Sequence, residues 1–116
     1  MHIVEKLLDS AYQDSELLKK RDEMGDVFSA FHDVDFCIEA PDKEKAETVC
    51  SFINDNRYGN AHVEEADGNF RVITITNTPV TQEIISSLSA NMVSIAAIFR
   101  CEFSGWGSTI ITAEDL

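Results

Sequence analysis

An α+β fold is predicted, built as β-α-β-β-α-β behind one leading helix. Three observations predict it: stretches of strict apolar/polar alternation, stretches with apolar residues at helical spacing, and the order in which the two kinds occur. That order is the split-βαβ, ferredoxin-like arrangement, with helices on one face of a four-stranded antiparallel sheet. At 116 residues the chain has the length of one domain. That length suffices to bury a core without staples.

Residues 1–26 form an N-terminal helical segment. Ile3, Val4, Leu7, Leu8 and Ala11 lie on one apolar face, which Leu17, Leu18 and Met24 continue loosely. Lys19, Lys20 and Arg21 suit the negative end of a helix dipole, and Gly25 suits a helix stop. The polar stretch Ser10 to Ser15 leaves one helix or two open. The ferredoxin-like domain, residues 27–107, opens with a strand from Phe28 to Glu39. His32, Val34, Phe36 and Ile38 point one way there, and Asp33, Asp35, Cys37 and Glu39 the other. Ala40-Pro41-Asp42 starts a helix with Ala46, Val49, Cys50 and Ile53 on its inner face, and Gly59 matches a left-handed stop. Strands over Ala61–Ala66 and Phe70–Thr76 flank the hairpin signal Asp67-Gly68-Asn69. Thr78 and Pro79 read as the cap and first position of a helix reaching Ala97, with Ile84, Ile85, Leu88, Met92, Ile95 and Ala96 buried. A final strand runs from Phe99 to Phe103. Residues 108–116 form a short C-terminal tail, predicted to be partly mobile.

Charge narrows the function. Nine Lys and Arg against 21 Asp and Glu give −12. A nucleic-acid binder needs a basic footprint, so direct nucleic-acid binding is disfavoured. So is docking on an anionic membrane, and no apolar run is long enough to span one. Steering toward a basic protein partner is favoured. Cys37, Cys50 and Cys101 are odd in number and without a paired motif, which points to a reducing, cytoplasmic setting.

Signals for chemistry are sparse. His2, His32 and His62 have no metal-ligand spacing around them, so no metal site is expected and structural roles are preferred. Cys50 and Cys101 fall on core faces, and no base or cation motif activates any thiol. Asp33, Asp35 and Glu39 form either a solvated strand face or an acidic patch for a basic partner. Phosphate-cradling and nucleophile-elbow glycine motifs are absent, no cofactor is implied, and no catalytic residue stands out. The least ordinary feature is Gly105-Trp106-Gly107, placed just after the last strand. Trp106 is either a lid on the end of the core or an aromatic anchor at a binding surface.

The run Arg100-Cys101-Glu102-Phe103-Ser104-Gly105-Trp106-Gly107 resembles the signature of the RraB family, regulators of ribonuclease E activity. The acidic strand Asp33-Val34-Asp35-Phe36 and the helix end Arg57-Tyr58-Gly59 are similar to that family too, and the likeness spans roughly Leu17 to Gly107. The resemblance implies a ferredoxin-like fold and a non-enzymatic inhibitor that binds a ribonuclease E-like nuclease by protein–protein contact. The tentative interface is Asp33, Asp35, Glu39, Glu102, Gly105, Trp106 and Gly107. Two departures from the family are expected: Ser104 stands where Asp is usual, and the family's long acidic tail is not expected beyond Leu116. The rival readings are a small-molecule sensor or an immunity-type protein on the same fold, because fold alone does not fix function.

Overall fold

The computed structural model describes residues 2–116. Its elements are α1 (Ile3–Glu23), β1 (His32–Ala40), α2 (Lys43–Asp55), β2 (Asn60–Ala66), β3 (Asn69–Thr78), α3 (Gln82–Ile98) and β4 (Glu102–Gly107). A 3-10 turn, Ala113–Asp115, closes the chain. The strands form one antiparallel sheet in the order β2-β3-β1-β4, the expected ferredoxin-like arrangement.

The alternation in β1 is realised residue by residue. His32, Val34, Phe36 and Ile38 are buried, and Asp33, Asp35 and Glu39 are exposed. The buried set meets α2 and α3 across a core that includes Val49, Ile53, Val72, Ile85, Met92 and Ile95. Asp42 caps α2, its Oδ1 accepting from the Lys45 N–H at 2.7 Å. The β2–β3 connection is a two-residue turn with Asp67 at φ 53° and Gly68 at φ 77°, the type I′ geometry that matches strand twist.

Each α-helix ends in the same way. The amide two residues past the cap bonds back to the carbonyl five residues earlier, and the amide before it bonds inside that loop. The pairs are Asp26 to Arg21 and Gly25 to Asp22, Tyr58 to Ile53 and Arg57 to Asn54, and Cys101 to Ala96 and Arg100 to Ala97. This is the Schellman geometry, which requires one left-handed residue. Gly25 supplies it in α1, but Arg57 (φ 58°) and Arg100 (φ 58°) supply it in α2 and α3. Gly59 is therefore not the left-handed stop expected of it. It is glycine for another reason: an added Cβ would run into the Thr74 methyl and lie 2.9 Å from the Thr76 hydroxyl.

Several boundaries differ from expectation. Residues 28–31 lie outside the strand, and β1 begins at His32. Thr78 does not cap α3, because its backbone pairs with His32 at the end of β3. The cap position falls to Thr81 instead, which makes no side-chain cap bond. The α3 stop consumes Phe99–Cys101, so the last strand starts at Glu102 and contains Gly105-Trp106-Gly107 rather than preceding it. A bulge opposite Cys37 and Ile38 leaves Ser104 unpaired, and Gly105 takes φ +117° beside it. α1 is one unbroken helix. Its buried side is Asp14, Leu18 and Arg21, whereas Ile3, Val4, Leu8 and Tyr12 stand exposed. The tail is not loose at its start. Val27 N–H donates to Ile111 O at 2.7 Å, and Ile111 N–H donates to Asp26 Oδ1 at 3.0 Å.

Candidate functional site

Arg21, Asp26 and His32 form a buried polar chain at the end of the sheet. Asp26 follows the α1 stop, and its side chain is fully buried. It accepts from Arg21 Nε at 2.8 Å, His32 Nε2 at 2.7 Å and Ile111 N–H. The other His32 nitrogen faces Ala30 O at 2.6 Å. Both ring nitrogens thus face oxygen atoms. Arg21 also donates to the Ser108 carbonyl at 3.1 Å and the Ser108 hydroxyl at 2.6 Å. Burial by itself would raise the Asp26 carboxyl. The bonds from His32, Ile111 and Arg21, with the Arg21 charge, outweigh that and hold it below its ordinary value. This cluster ties α1, β1 and the tail together, a structural role for His32.

Trp106 is half-buried and packs against the core, with its neighbour Phe103 stacked on Phe36 at 6.4 Å between centroids. The Arg21 guanidinium lies 5.2 Å from the Trp106 ring centroid. Trp106 Nε1 donates to Asp14 Oδ1 at 2.9 Å, and Ser89 Oγ of α3 reaches the same oxygen at 3.2 Å. Asp14 therefore joins α1, α3 and β4 at one point. Its side is all but sealed, at 3% exposure, and burial pushes its carboxyl up despite the bonds from Trp106 and Ser89. Beside these residues, α1 and β4 enclose a groove of about 610 Å³, within the size range of ligand pockets.

The strand register separates the residues expected at the interface. Trp106 pairs with Phe36 on the helix-covered face. Gly105 and Gly107 pair with Cys37 and Asp35 on the opposite face, which no helix covers. That open face carries rows that can be written across the sheet from β2 to β4. One is Asn60, Ile75, Asp35, Gly107, the next His62, Ile73, Cys37, Gly105, and the third Glu64, Arg71, Glu39, Glu102. Asp33 opposes Asn77, whose amide donates to it at 2.9 Å. The result is an apolar centre of Ile73, Ile75 and Cys37, flanked by bare glycine backbone and rimmed by carboxylates. Glu102 sits at the sheet edge, 3.8 Å from Lys6 of α1. Glu64 was not singled out from sequence, although its alternation with Val63 was available as a signal.

Other chemistry is thinly represented. Burial raises the Cys50 and Cys101 thiols, away from the reactive thiolate. Among the described residues no three His, Cys, Asp or Glu side chains gather as a metal site. Among them, too, no helix is long and apolar enough to cross a membrane.

The model of the family described as regulator of ribonuclease activity B, RraB, matches residues 11–108. The chain belongs to the RraB family. The RraB match runs from the middle of α1 through Ser108, so it takes in Asp14, Arg21, Asp26, Trp106 and the whole open face. RraB proteins are regulators of ribonuclease activity rather than enzymes, and a nuclease is the partner that this implies. A comparison with curated proteins gave no match.

Proposed function

We propose that the chain is a non-enzymatic inhibitor of a ribonuclease E-type nuclease, which it binds through the uncovered face of its sheet. The observation that carries this reading is the composition of that face. Asp33, Asp35, Glu39, Glu64 and Glu102 surround Ile73, Ile75 and Cys37, with Arg71 the one cation among them. An apolar centre inside a charged rim is the usual anatomy of a protein contact. The negative rim and the net −12 favour a cationic surface, such as a nuclease presents to RNA, and repel a second copy.

Gly107 supports the same reading. It has no left-handed φ, and an added Cβ would meet nothing within 4 Å. The fold does not need glycine there, whereas a partner approaching the backbone closely would. Trp106 contributes from the other side, by fixing β4 to α1 through Asp14.

Binding of purified ribonuclease E at low and high salt tests the proposal. The chain is expected to bind at low salt and weaken as salt rises, because rim charges are screened. Asp35→Lys with Glu39→Lys should weaken binding at least tenfold. Gly107→Ala should keep the melting temperature and still weaken binding. No binding at low salt, or binding indifferent to all three substitutions, refutes it.

A further inference from the structure

We infer that the groove between α1 and β4 receives the guanidinium of an arginine side chain presented by a protein partner, with Asp14 and Ser10 as its receptors. The inference rests on the ribonuclease-binding reading and names a side chain that the partner would insert.

Oδ1 of Asp14 is used twice, by Trp106 and Ser89. Oδ2 of the same carboxyl is buried and accepts nothing, and neither does the buried Oγ of Ser10 one helical turn earlier. A buried carboxylate oxygen without a donor is costly, so such a group signals a missing partner. Both residues line the groove, whose other walls include Leu17, Phe103 and Trp106. Arg21 does not serve these two atoms, because its guanidinium is committed to Asp26 and Ser108. Charge also favours a cation. Lys6 is near Glu102 and Glu16 is bridged to Lys19 at 3.1 Å, which leaves Asp9 and Asp14 against Lys20 on the groove wall.

Those features select arginine. Its forked donors can meet two acceptors one turn apart, and its weak hydration makes entry cheaper than for an ammonium. The alkyl stem then lies along Leu17 and Phe103, as such stems do on apolar surface.

The probe is N-acetyl-arginine amide, titrated into the full chain and read from the single tryptophan's fluorescence and from amide shifts at Ser10 and Asp14. N-acetyl-citrulline amide, isosteric and neutral, is the control. Saturable binding of the arginine probe, at least tenfold tighter than the citrulline probe, is expected. Asp14→Asn should erase that preference. Asp14→Asn and the groove-filling Ser10→Leu should each weaken nuclease binding at least tenfold, with the far-ultraviolet spectrum unchanged. Equal binding of the two probes, or binding of neither, overturns the inference. Arginine binding with undiminished nuclease binding by both variants also overturns it, because the groove would then serve a free alkylguanidine. Failure of the unmodified chain to bind nuclease sinks the functional reading instead, and the probe titration still decides the groove.

Discussion

Asp26→Ala should destabilise the fold by about 3–4 kcal/mol. Its carboxylate is fully buried and joins Arg21, itself nearly buried, at 2.8 Å. Removing one member of a buried ion pair costs about 3–5 kcal/mol, because the other charge is left uncompensated. Arg21 keeps its bonds to Ser108, which places the charge term near the low end of that range. The Ile111 amide also loses its acceptor, which adds roughly 1 kcal/mol. For a domain of this size the melting temperature should fall by about 10–15 °C. Urea denaturation followed by circular dichroism measures the change, and Arg21→Met with the double variant gives the coupling directly. Acid gives a second handle. The folded Asp26 carboxyl sits below its ordinary 3.8, so its contribution is complete above that value and is lost as pH falls through the lower, folded one. The gap between the unmodified chain and Asp26→Ala should therefore narrow in acid. A loss under 1 kcal/mol, or a gap that widens below pH 3.8, would refute this account of the cluster.

Gly59→Ala should cost about 1–3 kcal/mol through overpacking, since its Cβ meets Thr74 and Thr76; chemical denaturation reads it, and a neutral result would show that β3 yields there. Trp106→Phe keeps an aromatic ring but removes the donor to Asp14, at about 1–2 kcal/mol by the same measurement. Asp14→Asn has the opposite pH signature to Asp26. Burial raises the Asp14 carboxyl, so the unmodified chain gains stability as pH falls through that raised value toward 3.8. Melting curves across this window should show the gain in the unmodified chain and its absence in Asp14→Asn.

The fold was legible where side-chain chemistry and backbone need coincide. Strict alternation from His32 to Glu39 marks β1, Asp42 caps α2, and Asp67-Gly68 sets the hairpin register. It was illegible where an ordinary residue takes an unusual conformation. Arg57 and Arg100 hold the left-handed positions of two helix stops, and no side-chain signal distinguishes them. The second of these displaced β4, and with it moved Gly105-Trp106-Gly107 from beyond the last strand into it. The apolar spacing of Ile3, Val4, Leu8 and Ala11 misjudged α1, because that helix is held partly by polar bonds from Asp14 and Arg21. The buried cluster joins Arg21 to Ser108 across 87 positions, a separation that periodicity does not reach. The acidic strand and the two glycines were visible from sequence, and the register adds that they share one face without Trp106.

Inhibition of RNA cleavage addresses the central claim most directly. A short RNA is cut by ribonuclease E at low salt while the chain is titrated in. Cleavage should fall to a plateau as the chain saturates the enzyme, and Asp35→Lys with Glu39→Lys should restore it toward the uninhibited rate. Undiminished cleavage at saturating chain, with the chain folded, would contradict the claim.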